Sequence, residues 1–122
     1  MIVTLLAIAA AVGSVARYLA GKAIQGRLGT AFPWGTFTVN VSGSFLLGLI
    51  VGLVAHHGVS ADVRTVLGVG LLGGYTTFST WSVETMGLLE EAALVPATLN
   101  ALASVGAGML AGAAGLALPL LW

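Results

Sequence analysis

The chain has 122 residues, 58% of them hydrophobic and 7% charged, with a formal net charge of zero and a mean hydropathy of +1.08. A soluble domain carries about a quarter of its residues as charges, so the composition excludes an ordinary water-soluble globule and points to a membrane protein. Zero net charge marks neither nucleic acid nor an acidic surface as partner, and the absence of cysteine removes disulfides and thiolate metal sites.

A bilayer span takes about 20 apolar residues. The first such run covers 2–20 and carries Arg17 near its end. No Lys or Arg precedes it and three more apolar runs follow, so it is expected to be mature protein, not a leader. A Gly-rich polar connection over 21–30 holds Lys22 and Arg27. Pro33 suits the first turn of a second helix over 34–55, with Trp34 as an interface anchor. His56 and His57 open a short loop to Asp62; adjacent in sequence, they point to different helix faces and read as interfacial side chains. In the same loop Ser60 is placed to cap the next helix. The third run, 63–89, loses its hydrophobicity at Glu90 and Glu91, and a fourth over 96–119 starts at Pro96, with Trp122 at the far interface. The expectation is a single all-α domain over 1–122 with four transmembrane helices.

Gly73-Gly74-Tyr75-Thr76-Thr77-Phe78-Ser79-Thr80-Trp81-Ser82-Val83-Glu84 interrupts the third run. Two glycines followed by β-branched threonines weaken a helix. Within a bilayer that predicts a break mid-membrane, leaving backbone groups that need partners other than their own helix. Small residues four apart, Ser44, Gly48 and Gly52 in the second helix and Gly108 and Gly112 in the fourth, form ridges over which backbones can approach closely. Four thin helices enclose little, so a pathway calls for a second copy.

Polar residues inside the spans are few and neutral. Asn40 lies within the second, where it either bonds a neighbouring helix or lines water. Thr36, one turn earlier, shares its face, and Asn100 and Ser104 are likewise four apart in the fourth. Ser79 and Thr80 add hydroxyls from the third helix, beside Phe78 and Trp81 on one helix face. No Lys, Arg, Asp or Glu lies deep in a span; Arg17 and Glu84 stand toward span ends. An ion-coupled carrier places an ionisable group mid-helix. An anion pore instead needs donors that replace hydration without a trapping charge. Hydroxyls, a carboxamide and the positive edges of aromatic rings meet that need. Lys22 and Arg27 fall on one side of a four-span chain and Arg64 on the other, a weak orientation bias. Insertion both ways with head-to-tail pairing, or one orientation with the first loop inside, both remain open.

These residues resemble the Fluc (CrcB) family of fluoride channels. The similarity runs along the whole chain and is carried by three stretches: Gly13-Ser14-Val15-Ala16-Arg17-Tyr18; Gly35-Thr36 through Val39-Asn40 to Gly43-Ser44-Phe45; and Gly73 through Thr80. The resemblance implies an antiparallel, dual-topology homodimer in a bacterial plasma membrane, or a pairing with a paralogous subunit. It also implies passive, fluoride-selective export and no enzyme activity. A structural sodium ion at the dimer centre would be held by the backbone carbonyls of Gly73 and Thr76. The fluoride pathway it implies runs past Phe78 and Trp81, Asn40, and the polar track of Ser79, Thr80 and Ser104. Thr36 and Asn100 would adjoin it and Arg17 would stand near a vestibule. Two departures are Trp81, where the family usually has Phe, and Asn100, where Tyr is common.

The rival reading is a small dual-topology proton-coupled multidrug exporter. It wants a carboxylate buried mid-helix, for which Glu84 is the sole candidate and the first run offers none. An accessory subunit without transport is a third reading. No nucleophile has a base at a readable spacing, so no enzyme is expected.

Overall fold

The computed structural model describes residues 1–121, so the expected interfacial role of Trp122 lies outside the described residues. Every element among them is helical. Helix α1 spans Ile2–Leu28 and α2 spans Trp34–His56. The third helical segment, α3, covers 61–75 and is π-helical through Arg64–Leu72. Helix α4 spans Phe78–Glu90, α5 spans Leu94–Ala117, and a 3-10 turn over Leu118–Leu121 completes the described chain. Three stretches, Ile2–Leu28, Trp34–His56 and Leu94–Leu121, are long and apolar enough to cross a membrane. The remaining helical run, α3 with α4, is divided at Thr76 and Thr77, whose backbone is extended (ψ 160° and 121°).

The first helix continues well past the apolar run. Residues 21–28, read above as connection, are helical, because Lys22, Gln25 and Arg27 are helix formers and Gly21 and Gly26 are isolated. Gly29, at φ 86°, ends the helix in a conformation that favours glycine. Ser60 caps α3, its hydroxyl accepting from the Val63 amide. Helix α4 closes with the amides of Ala92 and Ala93 donating to the carbonyls of Leu89 and Leu88. This is a Schellman turn with Ala92 in the left-handed region at φ 57°.

Helix α2 is the hub. It packs most extensively on α5, and α1 packs on α3. Backbone proximity, not side-chain volume, makes both contacts. A Cβ on Gly48 would run into the carbonyl of Gly112, and one on Gly115 into that of Phe45. Across the α1–α3 contact, Gly13 meets the carbonyl of Leu71 and Gly74 that of Ala10 in the same way. In lipid, where burying apolar surface gives little between helices, such close packing is what holds the bundle. The molecule's exterior is accordingly apolar, with Val69 63%, Phe78 77% and Val83 72% exposed.

Candidate ion pathway

The interruption after α3 is organised by side chains from other helices. Asn40 on α2 grips the peptide of Thr77 with both ends of its carboxamide: Nδ2 donates to the Thr77 carbonyl (2.9 Å) and Oδ1 accepts from the Thr77 amide (2.8 Å). That amide, four residues after Gly73, would otherwise have bonded the Gly73 carbonyl in a continuing α-helix. Diverting it releases Gly73. The last helical carbonyl before the glycines, that of Leu72, accepts from both the amide and the hydroxyl of Thr76 (2.9 Å each). From α1, Ser14 Oγ donates to the Gly74 carbonyl (3.4 Å) and Arg17 Nη1 to the Thr76 carbonyl (3.3 Å).

Thr77 then starts α4 as its N-cap, with Oγ1 accepting from the Thr80 amide (3.2 Å). The same hydroxyl reaches Thr80 Oγ1 at 3.0 Å and Ser79 Oγ at 3.3 Å. Further along, Thr36 Oγ1 donates to Glu84 Oε1 (2.8 Å). Glu84 Oε2 is buried without a hydrogen-bond partner among the described residues. Thr36 and Asn40, one turn apart on α2, thus both face α4 and its first residues.

A second network joins α4 to α5. Asn100 is fully buried, and each of its polar groups is engaged. Its Nδ2 donates to Thr85 Oγ1 (2.9 Å), its Oδ1 accepts from Ser104 Oγ (3.2 Å), and its backbone carbonyl accepts from Trp81 Nε1 (2.8 Å). The Trp81 N–H is therefore committed to the protein. The Phe78 and Trp81 rings lie with centroids 5.0 Å apart, tilted by 44°.

Three cavities follow these groups. One of about 660 Å³ is lined by Arg17, Thr36, Thr77, Thr80 and Glu84, with Lys22 and Glu91 toward its rim. The next, of about 310 Å³, is lined by Asn40, Gly73, Thr76, Thr77 and Phe78, and has no charged residue in its wall. An apolar groove of about 510 Å³ between α2 and α5 carries Ser104. Thr77 lines the first and second, while Ser44 and Leu47 line the second and third.

The residues singled out in the sequence therefore separate into groups. Arg17, Thr36 and Thr80 meet in the first cavity, Asn40, Phe78, Gly73 and Thr76 in the second, and Ser104 stands at the third. Trp81 and Asn100 line none of the three and are bound to each other, and Ser79 is exposed beside Thr77. Reading residues by type missed Thr77, Ser14 and Thr85. A threonine before Phe78-Ser79-Thr80 carries an N-cap signal. Ser14 and Thr85 stand three residues before Arg17 and four after Trp81, on shared helix faces.

Residues 4–116 match the family described as CrcB-like protein, Camphor Resistance (CrcB). The chain is 50% identical over 116 residues to the fluoride-specific ion channel FluC 1 of Symbiobacterium thermophilum, covering 93% of this chain and 94% of that protein. It is 50% identical over 109 residues to the fluoride-specific ion channel FluC of Rhizobium meliloti, covering 88% and 87%. Against the protein of that name from Geobacter sulfurreducens it is 51% identical over 105 residues, covering 84% and 85%. Matched over nearly its whole length at such identity, the chain belongs to the CrcB-like family.

Proposed function

We propose that the protein is a fluoride-specific ion channel that releases cytoplasmic fluoride passively across the bacterial plasma membrane, lowering the intracellular level. The names of its relatives support the ion. What carries the reading in the chain itself is the middle cavity, which has no charged residue in its wall and is lined by Asn40, Thr76, Thr77 and Phe78. A bare ion costs tens of kcal/mol to bury without compensation. A fixed cation would offset that and then hold the ion in place; neutral donors and ring edges offset it in stages.

The bonding pattern separates the donors by readiness. Asn40 spends one Nδ2 hydrogen on Thr77 and keeps the other. Thr80 accepts from Thr77, so its own hydroxyl hydrogen is available to an ion. Ser104 already donates to Asn100 and would have to turn away from it. Trp81 offers a ring edge only, its N–H being bound. Asn100, sealed in the interior, acts by holding Trp81 and Ser104. Arg17 stands at the charged vestibule and also holds the Thr76 carbonyl.

A second copy in antiparallel orientation would cover the exposed Phe78 face and close the middle cavity. At that junction the carbonyls of Gly73 and Thr76, once from each copy, would hold a sodium ion. Gly73 fits, because its usual amide partner is diverted to Asn40. Thr76 accepts one hydrogen bond from Arg17 and retains a lone pair. The ion would tie the copies together at the interruption; no chemistry is routed through it.

The test is electrode-recorded release from vesicles loaded with both halides and reconstituted with purified protein. Fluoride escapes and chloride stays. Vesicles tight to fluoride, or equal release of both, overturn the reading.

A further inference from the structure

Helix α2 has an unusual start. Its N-cap is Pro33, which makes no side-chain capping bond and as proline has no amide to lend. The missing cap comes from α1. Gln25 Oε1 accepts from the Gly35 amide at 2.9 Å, while its Nε2 donates to the Phe32 carbonyl at 2.9 Å and to the Gly29 carbonyl. One carboxamide thus ties the end of α1, the loop and the first turn of α2. The helices also touch there, since a Cβ on Gly35 would lie 2.5 Å from the Gly21 carbonyl. The next residue is Thr36, whose hydroxyl holds Glu84 at 2.8 Å across the first cavity. Gln25 lines that same cavity.

We propose that Gln25 is a positioning residue for ion entry: it caps α2 from the neighbouring helix and thereby fixes Thr36 against Glu84 at the mouth of the pathway. The inference rests on the fluoride-channel reading for its transport consequence and on geometry alone for the cap. Without the carboxamide, the first amides of α2 have no capping side chain and the Thr36 hydroxyl is free to drift from Glu84. Nothing in the ion's own contacts would have changed.

The experiment is a double-mutant cycle in vesicles. Gln25→Met keeps the volume and removes all three hydrogen bonds; Thr36→Val removes the hydroxyl through which Gln25 acts. Gln25→Met alone should slow fluoride release about fivefold, the factor one helix cap carries in an equilibrium. In the Thr36→Val background it should change release little further, because the two act in series. Hydrogen exchange of the 34–37 amides should rise in Gln25→Met irrespective of transport. Unaltered exchange overturns the cap. Faster exchange with release unchanged, or with effects that simply multiply, overturns the positioning role. If Gln25→Met does not fold, Gln25→Asn keeps the carboxamide but shortens its reach and carries the same cycle; wild-type release from that variant overturns the proposal. Wild-type vesicles that retain fluoride would refute the channel reading and ion entry with it, while exchange still decides the cap.

Discussion

Asn40 and Thr77 are separated by 37 positions in the chain and joined by two hydrogen bonds. Thr77 is 8% exposed, so its peptide has little access to water as an alternative partner. Removing the carboxamide strands one N–H and one C=O, each costing about 1–3 kcal/mol when buried and unmet. Asn40→Ala should therefore lower the thermal midpoint of the detergent-solubilised protein and abolish fluoride release. Preserved stability would show that the clamp contributes little. Need was legible at this position, for an intramembrane asparagine requires a partner. Its partner was not, because a contact between distant residues leaves no periodic trace in sequence. Asn100 teaches the same at greater depth. Its spacing to Ser104 marks a shared face, and the two are bonded. Only the structure shows that face turned inward, with Trp81 donating to the Asn100 backbone.

At the scale of the helix, small-residue spacing locates the surfaces that meet but not which glycine on α5 has no room for a side chain. Gly48 and Gly52 do face α5 at backbone distance. On α5, however, a Cβ at Gly108 would sit 3.5 Å from Ser44 Oγ, and one at Gly112 would sit 3.6 Å from the Ser44 carbonyl, both ordinary contacts. Gly115 is the position with no room, its Cβ running into the Phe45 carbonyl. Sequence spacing identifies a ridge; crossing geometry decides which residue on it sits at the point of closest approach. Gly115→Ala should accordingly destabilise the protein by about 1–3 kcal/mol as overpacked backbone is forced apart. Gly108→Ala should be close to neutral. Thermal unfolding of the two variants side by side checks this, and equal midpoints would contradict it. Helix α1 supplies a further case. Hydropathy bounds its apolar run at about residue 20, but the helix persists to Leu28, because a run of helix formers needs no membrane to remain helical. That extension carries Gln25 to the start of α2.

For the whole molecule, orientation is the property least constrained by the chain's own chemistry. Lys22 and Arg27 lie on the last turns of α1 and Arg64 at the start of α3, and α5 bears no Lys or Arg at all. The positive-inside preference sums such charges over short loops, and here the sum is one or two residues. So small a bias selects an orientation only weakly, and the antiparallel pairing proposed above requires both insertions. Because the native chain has no cysteine, a single Thr30→Cys change places one thiol in the α1–α2 loop without background. Impermeant maleimide added outside intact cells should label about half of the molecules if both topologies are inserted, and the rest only after the membrane is opened. Labelling of all or none from outside would mean one orientation, and would remove the antiparallel pair. With it would go the arrangement in which Gly73 and Thr76 from oppositely directed copies face one ion. The three cavities of the single chain would remain, and the exposed Phe78 face would need a different cover.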